Sequence, residues 1–143
     1  MLGDYEAVLK AAADPNRVRI LKILEGGELC VCQIVAVLGC SQSTVSKHLS
    51  LLRAAGLVDE RKAGRWVFFR LADGKVNTYA LPLLELIRGW LAADPVVAAD
   101  AQRVAQIRQM RVEQLCATGS RNWGCDRLPA PAVAPAKKGA SLG

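Results

Sequence analysis

Residues 28–53, ELCVCQIVAVLGCSQSTVSKHLSLLR, decide the fold. Two cysteines one residue apart, Cys30 and Cys32, open an apolar run that predicts a short helix over 33–38, closed by Gly39. Ser41 is an N-cap residue for a second helix that runs to about Ala55, and Gly56 stops it. In that second helix Val45, Leu49 and Leu52 recur at i, i+4 and i+7, which makes them the buried stripe. Gln42, Ser43, Ser46, Lys47, Ser50 and Arg53 fall on the other side, and no carboxylate is among them. A face of short hydrogen-bonding groups and cations meets phosphates without repulsion. Helix, glycine turn and carboxylate-free helix together make the helix-turn-helix pattern.

Working outward, residues 57–71, LVDERKAGRWVFFRL, change period. Leu57, Val67, Phe68 and Phe69 are strand formers with Ala63-Gly64 at the turn, so a hairpin follows the reading helix. Its cations Arg61, Lys62 and Arg65 are placed to project from the tip as a wing; a plain basic hairpin is the alternative. Upstream, residues 4–13 read as a first helix with Tyr5, Val8 and Leu9 as its apolar edge. Asp14-Pro15 then caps another helix, in which Val18, Leu21, Ile23 and Leu24 are expected to be buried and Arg17, Arg19 and Lys22 wet.

Downstream, residues 76–92 carry Leu84, Ile87 and Leu91 on one face beside Leu83 and Trp90. A helix from Pro95 to about Cys116 carries Val97, Ala101, Val104 and Ile107. These surfaces exceed what a small winged helix covers by itself, so dimerisation is expected, with packing onto the chain's own core as the alternative. The expected architecture is therefore mainly α with a two-stranded β-wing and helical dimerisation elements at both ends. Residues 1–94 form the DNA-binding and dimerisation domain, 95–118 a C-terminal helix, and 119–143, rich in proline, alanine and glycine, a tail.

Composition agrees with a DNA-binding reading. The chain has 143 residues, 52% of them hydrophobic, which suits one helical domain. Nineteen lysines and arginines against 13 aspartates and glutamates give a net charge of +6, compatible with a nucleic acid partner. No apolar run nears the roughly 20 residues that span a bilayer, and the N-terminus lacks a secretory pattern, so a cytoplasmic protein with no membrane partner is expected. Its five cysteines are then thiols for metal or redox chemistry more than a disulfide framework. One histidine, no phosphate loop and no poised carboxylate pair give an enzyme reading nothing to stand on.

Cys30 and Cys32 suit a soft, thiol-seeking acceptor. Inside a regular helix they would point about 200° apart, but they converge if Cys30 precedes the helix and Cys32 lies in its first turn. A helix N-terminus also favours the thiolate. A C-x-C pair on its own reads more readily as two small residues packing together. A thiol-redox switch is the competing use of the same pair.

The chain resembles the ArsR/SmtB family of winged-helix metalloregulatory repressors, specifically the arsenical-resistance operon repressors. The resemblance rests on Ala12-Asp14-Pro15, Arg17-Arg19-Ile20-Leu21, Glu28-Leu29-Cys30-Val31-Cys32, residues 41–49 (SQSTVSKHL), Leu52-Arg53-Ala55-Gly56-Leu57-Val58 and Arg61-Lys62-Gly64-Arg65-Trp66-Val67. It covers roughly residues 5–92 and implies a homodimer on double-stranded operator DNA that a metal ion or metalloid dislodges. It marks Gln42, Ser43, Thr44, Ser46, Lys47, His48 and Arg65 as DNA-contacting candidates, with packing favoured over a phosphate contact for His48. Cys30 and Cys32 become the metal ligands, with no permanent cofactor and with As(III) or Sb(III) as inducer.

Three departures matter. Val35 stands where the best-known arsenic repressors place a third cysteine; the sole histidine, His48, leaves no zinc pair on a dimer helix; and residues 1–29 hold no cysteine for a cadmium or lead site. The third ligand stays open among Cys40, Cys116, Cys125 and an external thiol, with Cys40 disfavoured because it lies about 12 Å farther along the helix.

Overall fold

The computed structural model describes residues 1–110. Its elements in chain order are α1 (Leu2–Ala11), α2 (Pro15–Ile23), a 3-10 turn (Leu24–Gly26), β1 (Leu29–Cys30), α3 (Val31–Leu38), α4 (Gln42–Ala54), β2 (Val58–Ala63), β3 (Trp66–Leu71), α5 (Ala80–Arg88) and α6 (Pro95–Arg108). The boundaries follow local chemistry. The Asp14 carboxylate accepts from the amides of Asn16 and Arg17 at the start of α2, with Pro15 in the first turn where a missing N–H costs nothing. The Ser41 hydroxyl accepts from the Thr44 amide at 3.2 Å to cap α4. Between α3 and α4 the chain reverses at Gly39, whose φ of 73° suits a residue without a side chain.

One core runs through all six helices. Val45, Leu49 and Leu52 are its contribution from α4, as the spacing predicted, and Ile34, Val35 and Val37 fill it from α3. The hairpin is present, β2 pairing antiparallel with β3 from Val58↔Leu71 to Ala63↔Trp66. A third strand escaped the sequence. Leu29 and Cys30 pair antiparallel with Phe69 and Phe68, so the sheet order is β1-β3-β2 and the first sulfur residue belongs to the wing's own sheet.

Four expectations need correction. Lys22 is buried, not wet: its Nζ donates to the Ile87 carbonyl at 2.8 Å at the end of α5 and pairs with Glu25 at 3.0 Å. Arg19 also does not face open water; its guanidinium grips both oxygens of Asp100 at 2.8 and 3.0 Å. Tyr5 and Leu9 are exposed, and from their trio only Val8 is buried. The helix over 76–92 is shorter than read: α5 ends at Arg88, and Leu91 sits outside it with φ of 68°.

The α6 stripe is displaced as well. Asp100, Arg103, Val104 and Ile107 face inward, against α2 and α3. This helix covers the chain's own core there, the alternative to dimerisation weighed for its apolar side. The continuation of that helix to Cys116 and the tail over 119–143 lie outside the described residues. No helix among the described residues is long and apolar enough to cross a membrane.

Candidate functional site

The backbone puts Cys30 ahead of α3 and Cys32 in its first turn. Cys30 is the N-cap of α3 in extended backbone, φ −76° and ψ 153°, and Cys32 is the second residue of the helix. Gln33 turns its side chain back to accept from the Cys30 amide at 2.8 Å, one half of a capping box that fixes this entry. Cys30 is only 2% exposed, yet it shares a wall with Cys32: both line one cleft of about 490 Å³ between the start of α3, α4 and the wing. The expectation that the cysteines are thiols needs correction at Cys32, which takes part in a disulfide, while Cys30 and Cys40 do not. Cys40 lies at the far end of α3, its sulfur 3.9 Å from the Leu38 carbonyl, and does not line that cleft. Cys116 and Cys125 lie outside the described residues. No group of three or more His, Cys, Asp or Glu suited to a metal ion occurs among the described residues.

The opposite rim of the same cleft belongs to the candidate DNA-contacting set. Gln42, Ser46 and Ser50 of α4 line it together with Arg65 of the wing. Gln42, Ser43, Thr44, Ser46 and Lys47 are all on the exposed side of α4. Thr44 has local duty too, its hydroxyl accepting from that of Ser41 at 2.9 Å. His48 is half-buried, with Nδ1 3.5 Å from the Arg17 guanidinium, which in turn donates to the Ala11 carbonyl at 2.8 Å. That position favours the packing role for His48 over a phosphate contact.

Arg65 lies over the Trp66 ring at 4.8 Å, a cation–π contact that steadies it at the hairpin tip. Arg61, read as a tip cation, is engaged elsewhere. Its Nε and Nη2 donate to Glu28 at 2.8 and 2.9 Å, while its guanidinium stacks 4.7 Å from the Phe68 ring. Phe68 stands opposite Arg61 on one side and Cys30 on the other, so a single row crosses the sheet from sulfur to wing. The hydrogen bond from Arg61 holds the Glu28 carboxyl below the ordinary carboxylate range, against a smaller opposing effect of burial. Arg108 adds donors from α6 to the carbonyls of Gly27 and Glu28 at 3.1 and 3.2 Å. On α4, Arg53 pairs with Glu60 of β2 at 2.8 Å, tying the reading helix to the hairpin. A sequence signal for these clamps existed only in part: Glu28 is the sole carboxylate of the 28–53 stretch and invites a cation, but nothing local names Arg61.

The comparisons agree with this geometry. Residues 14–60 match the family described as "Bacterial regulatory protein, arsR family". The chain is similar to the arsenical resistance operon repressor of Escherichia coli, 34% identical over 116 residues that cover 80% of this chain and 91% of that one. It is also similar to a cadmium resistance transcriptional regulatory protein CadC homolog of Staphylococcus aureus, 40% identical over 75 residues, 52% of this chain and 62% of that one. Among solved structures it resembles the homodimeric winged helix-turn-helix DNA-binding domain of a possible ArsR-family regulator from Mycobacterium bovis. The TM-score there is 0.53 at 31% identity, covering 61% of this chain and 77% of that one. The chain belongs to the ArsR family of winged helix-turn-helix transcriptional repressors, and is a DNA-binding regulator, not an enzyme.

Proposed function

We propose that this repressor holds its operator as a homodimer and releases it when trivalent arsenic or antimony bridges Cys30 and Cys32. The observation that carries the reading is the shared cleft: both sulfurs and the rim residues Gln42, Ser46 and Arg65 line one cavity. In the operator complex Gln42, Ser43, Ser46 and Lys47 enter the major groove, and Arg65 reaches backbone or minor groove from the wing. Thr44 lies at the N-terminal end of that helix, and His48 braces it from behind. The dimer forms through the exposed apolar band of α1, α5 and the residues flanking α5, where Leu2, Tyr5, Leu9, Leu86 and Trp90 are uncovered and Tyr5 meets Tyr79 edge to face at 5.8 Å.

Release follows two routes from one event. Arsenic drawing the two sulfurs together distorts the first turn of α3, which packs on α4 through the core. Because Cys30 is also a residue of β1, the same displacement passes through Phe68 to the wing. A coupling free energy of about 1–3 kcal/mol lowers DNA affinity five- to 150-fold, roughly the range a repressor needs. The relative named for arsenical resistance supports arsenic as the inducer.

The disulfide at Cys32 favours one second reading, a thiol-redox response at the same site. A single assay separates the two: fluorescence anisotropy of the chain's labelled upstream DNA, with arsenite under reducing conditions and with peroxide alone. The proposal expects release by arsenite, loss of that release in Cys30→Ser and Cys32→Ser, and DNA affinity within about twofold of wild type before inducer is added. Cys116→Ser and Cys125→Ser show whether either supplies a third sulfur. Undiminished arsenite release in the Cys30 and Cys32 variants would sink the sensor, and release by peroxide alone would establish the redox alternative.

A further inference from the structure

Arg17 and His48 lie on different helices, and both are half-buried. Arg17 is the third residue of α2, fixed there by Asp14, whose carboxylate accepts from the Arg17 amide at 3.1 Å. Its guanidinium leaves α2 in two directions. Nε donates to the Ala11 carbonyl at 2.8 Å and Nη2 to the Lys10 carbonyl at 3.4 Å, both at the end of α1. Nη1 faces Nδ1 of His48 at 3.5 Å, in the middle of α4. A guanidinium has only donors, so Nδ1 is the acceptor and the imidazole proton sits on Nε2. One planar fork thus spans α1 and the reading helix, and the negative end of the α1 dipole receives a cation.

Helix α1 is pinned near its other end as well. Asn77 is buried, its Nδ2 donating to the Asp4 carbonyl at 2.9 Å and its Oδ1 accepting from the Tyr79 amide at 2.9 Å just ahead of α5. With Tyr5 against Tyr79, this makes one body of α1 and α5, the helices of the exposed apolar band. Arg17 joins that body to α4.

On the basis of the dimer reading above, we infer that the Arg17–His48 contact is a strut that sets how far apart the two reading helices of the dimer stand, and so which half-site spacing the operator must have. The seam between subunits lies on α1 and α5, while the groove contacts lie on α4. Slack between α1 and α4 therefore passes to the half-site, once in each subunit. One base pair inserted between half-sites displaces one of them by about 3.4 Å and turns it by about 35°. A fork held at three points gives less slack than an ammonium on a flexible stem. Arg17 and His48 are positioning residues in this scheme, acting through α4 and not by touching DNA.

The test uses the full-length protein and its labelled upstream DNA, with the half-sites located by footprinting. Anisotropy compares the native operator, operators with one base pair added or removed between half-sites, and a duplex with a single half-site. Wild type should lose about tenfold or more in affinity on either altered spacing. Arg17→Ala and Arg17→Lys should cut that discrimination to about threefold or less, and should lose less on the single half-site than on the native operator. An Arg17→Ala/His48→Ala double variant should lose no more discrimination than either change alone, because the two share one contact. Two histidine replacements divide a strut from a phosphate contact. Asn carries its oxygen where Nδ1 stood, so His48→Asn should keep the discrimination. Gln reaches the Nε2 position instead, so His48→Gln should lose it. Equal proportional losses on every duplex, or discrimination kept by His48→Gln and lost in His48→Asn, overturns the inference. A wild type that binds the single half-site as tightly as the native operator removes the dimer reading, and the strut with it.

Discussion

Helix α3 is held at both ends by arginine–carboxylate pairs of nearly equal length, in very different surroundings. At its C-terminal end Arg19 donates to the Leu38 carbonyl at 3.4 Å while gripping Asp100 at 2.8 and 3.0 Å. The Asp100 side chain is 1% exposed and the Arg19 side chain 14%. At the N-terminal end Arg61 grips Glu28 at 2.8 and 2.9 Å, but those side chains are 50% and 30% exposed. Coulomb attraction is screened at the front and barely screened at the rear. The rear pair is therefore expensive to separate and the front pair cheap. A helix clamped hard at one end and lightly at the other pivots, and the lightly held end is the one that carries the sulfurs.

The rear clamp gives the largest expected effect. Asp100→Ala leaves two guanidinium groups, Arg19 and Arg103, facing a site with no carboxylate. Removing one partner of a buried pair costs about 3–5 kcal/mol, because the remaining charge stays desolvated. Burial alone would make the Arg19 guanidinium easier to deprotonate, and the hydrogen bond and charge of Asp100 overcome that. Urea denaturation should show a fall of this size, with Asp100→Asn in between because it keeps an acceptor oxygen. A change below about 1 kcal/mol would mean that water reaches the rear end too, and the contrast between the ends would vanish.

What the sequence revealed follows the same division between local and distant chemistry. Asp14, Ser41, Gly39 and Gly56 act on neighbours within a few residues, so caps and stops were legible. The Val45, Leu49 and Leu52 stripe was legible because a helix repeats. Strand β1 was not, since two residues hold no alternation and their partners Phe68 and Phe69 lie far along the chain. Arg19 and Asp100 are 81 residues apart. Even so, Asp100 left a trace: a carboxylate four residues before Val104 on an inward face requires a buried cation. The cleft needed the fold, because the sulfurs and Trp66 come from segments that no spacing rule connects. The cysteine placement was the part of the site that sequence did reach, because N-cap and first-turn positions are local geometry.

The front clamp sharpens the comparison from the other side. Glu28→Gln keeps the Arg61 cation on the wing but removes the charge that orders it. An exposed pair of this kind contributes under about 1 kcal/mol to stability, so the urea midpoint should hardly move. Coupling should move more, because Glu28 sits two residues before Cys30 and Arg61 lies across Phe68 from it. The ratio of operator affinity without and with arsenite should fall by about threefold or more while arsenite still binds. An unchanged ratio would assign the signal to α3 and α4 alone and strip the wing row of its part.

The smallest effect is a pH dependence confined to that same pair. Glu28 has its folded-state value depressed below 4.5, with the Arg61 hydrogen bond as the leading cause. A depressed carboxyl stabilises fully above its unfolded value, and the contribution is lost as pH falls through the lower folded one. Between about pH 5.5 and about pH 8 the carboxylate is charged in both states, so the wild type and Glu28→Gln should differ by a constant amount in urea midpoint. Below pH 4.5 the two curves should converge. Were they to converge near neutral pH instead, some group other than Glu28 would be ordering the wing, and the light hold on the front of α3 would have a different origin.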